Sequence, residues 1–274
     1  MFPKFQRIYW YKKFDWKRYS KLYDKYCQTK NNYYIQSASE LVRSVKLKNS
    51  FKVIDLACGT GVLTFQLLKK YPKINILAVD LSKEMLYFYE KNFLNRIKTG
   101  QIKIICGNAE QLHKYTKEKY NTIFIASALW DLELAPLFKN IAKVLKKNGL
   151  VVFNLPTLVV GEEKGFIFFI EHFFREKLNT ALVYRRITLK DLEKVIKKYF
   201  RLIKLRRYSF KMSKRNVAIF FDLLRYRYPF IFFPKEMSYS QKLKKYTEIL
   251  NEALRYIPKD GISEEGFVFV LKKI

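Results

Sequence analysis

Acidic residues and histidine are scarce in this chain. Its 274 residues hold 24 Asp+Glu against 54 Lys+Arg, a formal net charge of +30. The only imidazoles are His113 and His172. Cysteine is rare too: Cys27, Cys58 and Cys106 are widely spaced and odd in number, which excludes a disulfide framework and a cysteine-ligated metal site. No window holds the roughly 18 uninterrupted apolar residues of a membrane span. The most apolar pieces, LVVFNLPTLVV and YPFIFFP, are short and carry proline. The amino-terminal stretch MFPKFQRIYWYKKFDWKRY is basic but has no continuous apolar core, so no secretory leader is expected. A reducing cytoplasm is the expected compartment.

What is present reads as a folded globular chain: 49% hydrophobic, 28% charged and 17% aromatic. The basic excess runs through the whole length, and charge of this kind speaks to solubility and contacts rather than to fold. An RNA, an acidic carrier protein or an anionic membrane would suit it; a lysine-rich composition with solvated faces explains it more simply. The densest segment is RLIKLRRYSFKMSKRNVAIFFDLLRYRY (201–228), where Asp222 is the only acid. Its Arg and Tyr residues would stack on bases or lie along a sheet edge, and the second reading is favoured.

Apolar periodicity predicts a helical region over 15–48. A strict alternation of element types follows. Strands are expected at 52–57, 75–80, 102–107, 121–128 and 150–155. Helices are expected at 62–71, 83–95 (with Ser82 as N-cap) and 134–147, the last stopped by Asn148-Gly149. Strand–helix alternation implies right-handed crossovers and a parallel sheet. After Pro156 the rhythm breaks into an aromatic insertion over 157–186. A helix at 188–200 has capping-box spacing between Thr188 and Asp191. A strand at 201–210, two helical stretches within 213–256 and a final strand at 266–273 complete the chain.

The segment VIDLACGTGVLTFQLLKK (53–70) carries the chemistry. An apolar strand ends in an acid, passes Gly59 and Gly61, and becomes a helix. The dinucleotide fingerprint G-x-G-x-x-G/A fails, because the sixth position is Thr64 counted from Gly59 and Val62 counted from Ala57. A P-loop fails for want of Gly-Lys-Ser/Thr. What fits is D-x-A-x-G-x-G with a second acid, Asp80, ending the next strand. Both carboxylates then lie at the carboxyl edge of a doubly wound sheet, where an acid can accept both hydroxyls of a ribose. The glycines let the backbone approach the ligand.

These residues resemble the class I S-adenosylmethionine-dependent methyltransferases, over about 51–155. VIDLACGTG is similar to the family's first motif, with Ala57 where glycine is frequent. LAVDLSKEML is similar to the second, with Asp80 as the ribose acid. CGNAEQL resembles the adenine-contacting segment, and YNTIFIASALWDL and VLKKNGLVVFN the fourth strand and the approach to the fifth. The resemblance implies an α/β Rossmann-like fold with a seven-stranded, mostly parallel sheet and an antiparallel last strand. It further implies an N-terminal helical cap (1–48) before a methyltransferase domain (49–274), with insertions at about 157–186 and 211–265. The implied cofactor is S-adenosyl-L-methionine, held by Asp55, Ala57, Gly59, Gly61, Asp80, Leu81, Asn108, Ala109 and Ser127, with no metal.

Methyl transfer from a sulfonium needs alignment above all, and a base only where the acceptor must lose a proton. Asp131 and His172 are the weak candidates for that role. Tyr33, Tyr34 and Tyr184 are further candidates, and the run FIFFIEHFF is expected to pack as a lid. The Asn/Asp-Pro-Pro-aromatic motif of amino-methylating nucleic-acid enzymes is missing after the fourth strand. So is the cysteine nucleophile of the RNA 5-methylcytosine enzymes. The expected acceptor is a small molecule or a carrier-bound acyl group, methylated on oxygen or carbon. RNA or protein methylation through the basic segments, and a non-catalytic cofactor-binding subunit, are the alternatives.

Overall fold

The computed structural model describes residues 15–157, 162, 164–178, 187–226, 233 and 236–274. The chain divides into two compact units. A sheet unit comprises residues 33–155, 187–208 and 266–274; a helical unit comprises 1–32, 156–186 and 209–265.

The sheet unit opens with helix α2 (Tyr33–Arg43) and then alternates as its apolar pattern predicts. β1 is Lys52–Leu56, α3 Val62–Lys70, β2 Asn75–Asp80, α4 Lys83–Lys98, β3 Ile102–Cys106 and β4 Tyr120–Ile125. α5 Leu134–Val144, β5 Leu145–Pro156, α7 Leu189–Ile196, β6 Phe200–Met212 and β7 Ile262–Lys273 follow. The sheet has seven strands in the order β3-β2-β1-β4-β5-β7-β6. β1 pairs in parallel with both β2 and β4, and β3 and β5 extend the parallel set on either side. The sheet is mostly parallel with one antiparallel strand. Val53, Ile54, Leu77, Val79, Ile123, Phe124, Val151 and Phe153 are buried, so the near-continuous apolar runs are strands covered on both faces. The ring of Phe153 stacks on Phe269 at 4.9 Å and meets Phe138 of α5 edge-on.

Several boundaries differ from the sequence reading, among them the end of α7 at Ile196 rather than 200 and the start of β7 at Ile262 rather than 266; two have a clear physical cause. The helical region 15–48 is two helices, α1 (Trp16–Cys27) and α2. Asn31 takes φ 55°, and the Asn32 amide donates to the carbonyls of Tyr26 and Thr29 at 3.0 and 2.7 Å, which stops α1. Helix α5 ends at Val144 rather than 147, because Leu145 already pairs with Tyr120. The next paired residues are Thr122 and Leu150, so Lys146–Gly149 bulge out of the ladder, with Asn148 at φ 61°.

The basic strand β6 lies at the sheet edge and its long side chains run along the protein. Lys204 donates to the Ser44 carbonyl at 3.2 Å, Arg206 pairs with Glu40, and Arg207 sits over Phe267 at 5.6 Å. This is the edge-lying arrangement favoured from the sequence.

The helical unit gathers α1, α6 (Gly165–Leu178), α8 (Lys214–Leu224) and α9 (Tyr239–Tyr256). Ser213 and Ser238 cap α8 and α9, the latter with Gln241 in a capping box. Its core is aromatic. Phe166, Phe174, Phe220, Phe221, Tyr26 and Tyr246 are buried, with Phe166 and Phe220 at 5.4 Å and Phe174 and Tyr246 at 5.5 Å. The described part of the aromatic run thus packs its apolar face into this unit's own core. Pro229, Pro234 and Tyr184 lie outside the described residues.

Glu264 is buried in the same unit. Its Oε2 accepts the Ile167 N–H at 3.0 Å in the first turn of α6, and its Oε1 has no hydrogen-bond partner among the described residues. Gly165, at φ 88°, leaves room for it; a Cβ there would lie 3.1 Å from Oε2. Burial pushes the carboxyl up to about 8, against the pull of the Ile167 and Phe166 amides. Between its ordinary value of 4.5 and about 8 the folded chain keeps a proton that the unfolded chain has released, so stability falls as pH rises through that window. Glu264→Gln keeps an acceptor and removes the charge. It should raise the Tm at pH 8, by an amount on the order of a few kcal/mol in stability, and change little at pH 5. Thermal unfolding across this range checks it; parallel pH profiles for the two proteins would refute it.

Candidate functional site

The carboxyl ends of β1, β2, β4 and β5 lie side by side at one edge of the sheet, and the loops leaving them build the site. Beyond β1 the chain turns sharply: Ala57, Gly59 and Gly61 have φ of 58°, 56° and 96°. Left-handed conformation costs a residue with a Cβ about 1–2 kcal/mol, so Ala57 holds strain that the glycines do not. Gly61 is also fixed by packing, since a Cβ there would lie 2.3 Å from the Phe93 ring.

Two carboxylates flank this turn. Asp55, in β1, is 1% exposed. Its Oδ2 accepts the Thr64 hydroxyl at 2.8 Å, and the same hydroxyl lies 2.7 Å from the Tyr89 Oη. Burial pushes Asp55 up to about 7; the Thr64 bonds oppose this and the Asp80 charge adds to it. Asp80 ends β2. Its Oδ2 accepts the Gly59 N–H at 2.8 Å and its Oδ1 accepts the Ser82 N–H at 2.9 Å, tying the glycine turn of β1 to the start of α4. Burial raises Asp80 while the amides of Ser82, Gly59 and Leu81 hold it down. Ser82 caps α4 as expected, accepting the Met85 N–H. Leu81 follows the acid with its side chain 47% exposed, an apolar surface next to a carboxylate. Cys58 is buried between the acids; burial, then Asp80 and Asp55, push its thiol well up, so it is no nucleophile.

After β3, Asn108 caps the 3-10 turn Ala109–Lys114 through Glu110 N–H, and its own N–H is donated to the Tyr115 Oη at 2.9 Å. Ala109 is buried beneath. After β4, Ser127 takes φ 50° and donates its N–H to the Asn154 Oδ1 at 2.8 Å. The chain then forms the 3-10 turn Leu129–Asp131, in which Trp130 is half-buried and Asp131 exposed. The N-cap of α5 is Glu133.

The cofactor candidates therefore gather at one sheet edge: Asp55, Ala57, Gly59, Gly61, Asp80, Leu81, Asn108, Ala109 and Ser127 end or follow four strands, β3-β2-β1-β4, that are neighbours in the sheet. His172 belongs to the helical unit, its side chain 53% exposed, 3.2 Å from Glu176 and stacked on Phe168. Tyr33 and Tyr34 pack edge to face at the start of α2. His113 is half-buried; burial and the charges of Lys143, Lys114, Lys117 and Lys139 lower it. Thr64, Tyr89, Tyr115 and Asn154 went unread in the sequence. Tyr89 and Asn154 meet their partners 25 and 27 residues away, whereas Thr64 and Tyr115 reach Asp55 and Asn108 across turns whose spacing matches no motif.

Residues 53–149 match the family model described as "Methyltransferase domain". A malonyl-[acyl-carrier protein] O-methyltransferase of Priestia megaterium is 30% identical over 138 residues, 50% of this chain and 47% of that one. A second enzyme so named, from Ilyobacter polytropus, is 27% identical over 64% of each chain. A demethylmenaquinone methyltransferase of Lactobacillus johnsonii is 31% identical over 111 residues, 40% of this chain and 45% of that one. The chain spans roughly half the length of the curated relatives it matches. Among solved structures, the cyclopropane synthase MmaA2 of Mycobacterium tuberculosis superposes with TM-score 0.61 at 16% identity, covering 99% of both chains. Coclaurine N-methyltransferase bound to N-methylheliamine and SAH superposes with TM-score 0.58 at 16% identity, covering 87% of this chain and 72% of that one. These superpositions show the fold.

The Thr64 hydroxyl serves two buried groups at once. Thr64→Val keeps the shape and removes the donor, and each group left short should cost about 1–3 kcal/mol. The expected outcome is a lower denaturation midpoint and, because Asp55 loses its main counter to burial and is pushed up further, a fall of stability with pH that continues above pH 7 instead of levelling there. Urea unfolding at several pH values measures both; an unchanged pH slope would show that this bond does not govern Asp55.

Proposed function

We propose that this chain, a member of the class I S-adenosylmethionine-dependent methyltransferases, transfers a methyl group to a small-molecule or carrier-bound acceptor. The observation that carries this reading is the Asp80 carboxylate, fixed by Gly59 and Ser82 amides at the end of β2 beside an exposed Leu81. A carboxylate has about four acceptor positions, so the amide bonds leave it capacity for ribose hydroxyls. Leu81 offers exposed apolar surface for a base. The left-handed turn at Ala57–Gly61 brings bare backbone to the same edge. This donor set fits S-adenosylmethionine: it supplies hydroxyl acceptors, apolar surface and local negative charge, and no phosphate cradle.

When bound, the cofactor supplies an electrophilic methyl group on a sulfonium. The chain's part is to orient and shield. Asp80 would fix the ribose, Asn108 and Ala109 the adenine, and the Asp55–Thr64–Tyr89 chain would support the turn that faces the amino-acid end. Asp55 and Asp80 place negative charge where a cation must sit in a chain of +30. Ser127, at the end of β4 next to β1, would border the methyl. A carboxylate acceptor, as in the relatives named for malonyl-carrier methylation, arrives ionised and needs no base. Where a proton must leave, Asp131 is the better-placed candidate, on the loop that Ser127 begins. A basic surface suits an acidic carrier. The cytoplasm is the proposed location.

Two measurements test this. Asp80→Ala should weaken S-adenosylhomocysteine binding by more than about tenfold, the loss of charged hydrogen bonds worth roughly 1.5–3 kcal/mol each, with the fold retained; unchanged affinity by calorimetry would sink the site. Methyl-labelled S-adenosylmethionine, incubated with host lysate, should label the small-molecule or carrier fraction. Label in RNA or bulk protein would replace this acceptor class with a macromolecular one.

A further inference from the structure

The loop from β4 to α5 carries Ser127, Trp130 and Asp131, and polar side chains, one buried and one half-buried, hold it at its two ends. At its start stands Asn154, near the end of β5 and 0% exposed. Its Oδ1 accepts the Ser127 N–H at 2.8 Å, and its Nδ2 donates to the Ser127 Oγ and the Tyr208 Oη, each at 3.2 Å. Both ends of the amide are used, and Ser127 is gripped by main chain and side chain together. Ser127 needs this grip, because its φ of 50° is disfavoured for a residue with a Cβ. Tyr208 is buried in β6, and Gly266 of β7 makes room for it: a Cβ there would lie 2.4 Å from the Tyr208 Oη. At the far end of the loop, the Glu110 Oε1 accepts the Glu133 N–H at 2.9 Å, where α5 begins. The Glu110 carbonyl accepts the Asn140 amide of α5 at 2.8 Å, fixing Glu110 in turn.

The loop is thus tied at Ser127 to β5 and β6, and at Glu133 to the segment after β3 that carries Asn108 and Ala109. An apolar sheet edge has no stability reason to carry such a network, since a buried polar group gains little over a well-packed apolar one. We propose that Asn154 and Glu110 are positioning residues for the methyl transfer. They clamp this loop at its two ends, so that the Ser127–Asp131 turn is a fixed wall against which the acceptor aligns. The proposal rests on the methyltransferase reading of the site. Tyr208 supports the first clamp by orienting the Asn154 amide, and Gly266 is the space that allows it.

The test combines hydrogen exchange with transfer kinetics on the full chain. Asn154→Ala and Glu110→Ala should each speed exchange of the 128–132 amides by about tenfold or more. Their transfer rate from labelled S-adenosylmethionine to the labelled lysate fraction should fall about tenfold, while S-adenosylhomocysteine affinity stays within about threefold. Glu110→Gln keeps the acceptor for Glu133 and should match the wild type in both readouts, a rescue that loss of bulk stability would not give. Tyr208→Phe, which removes one of the three Asn154 bonds, is the second variant if Asn154→Ala fails to fold, and should show a smaller change of the same kind. Unchanged exchange in both alanine variants, or Glu110→Gln behaving as Glu110→Ala, overturns the clamp. Absence of S-adenosylhomocysteine binding by the wild type would instead overturn the functional reading, with the exchange results still deciding whether the loop is clamped.

Discussion

The bond from the Gly59 N–H to the Asp80 carboxylate is the constraint on which the site depends. β1 and β2 are joined by ordinary parallel pairing up to Leu56 and Val79. Beyond that point one more bond, from the Cys58 N–H to the Val79 carbonyl at 3.1 Å, ties the chain leaving β1 to β2, and the left-handed turn at Gly59 and Gly61 follows. Asp80 takes over where the ladder stops. One carboxylate receives an amide from the turn and another from the cap of α4, so the turn, the strand end and the helix start share one anchor. Burying that carboxylate is unfavourable, as its raised pKa records. The cost is met because charged acceptors form the stronger hydrogen bonds.

The turn could not be held from one side alone. Below it, the Asp55–Thr64–Tyr89 chain links β1 to α3 and α4, and the Tyr89 and Phe93 rings fill the space that a Cβ on Gly61 would need. Glycine is therefore required there twice, by its φ and by its neighbours. Ala57 is required by neither ring and bears its left-handed strain alone, which is why the sequence tolerates a methyl group at that one position.

The α/β core was legible because its signals are local. Each buried strand is an apolar run, each helix an amphipathic repeat, and the acid–glycine motif falls within one strand and its turn. The carboxyl-edge position of Asp55 and Asp80 followed from topology alone. The rest was hidden where the partner is remote. Asn154 reaches Ser127 across 27 residues and Tyr208 across 54, so neither spacing is a pattern in the sequence. Asn154, near the end of β5, is nevertheless a hub of the candidate site. The helical unit was hidden for the same reason. Its aromatic residues come from three separated segments, each too short to bury a face by itself, and they become a core only when assembled. The bulge at Lys146–Gly149 was missed because two lysines continue a helical pattern that the pairing of Leu145 overrides.

Net charge and site charge act over different distances. Lysine and arginine spread over a surface act through water and salt, where interactions decay over about 8 Å at physiological ionic strength. Pairs such as Lys52–Glu118 and Lys211–Asp260 are exposed and contribute little. Asp55 and Asp80 act at contact, partly or wholly out of water, where the effective dielectric is lower and each charge counts for more. A cationic ligand at the carboxyl edge would answer to those two carboxylates far more than to the chain's +30. Such a ligand would also repay them: a positive charge nearby favours the ionised form, lowering both pKa values and recovering part of what their burial costs. Two acids held up in pKa beside a bare backbone turn are thus strained alone and relieved by a cation, which is the condition for affinity that does not depend on the rest of the surface.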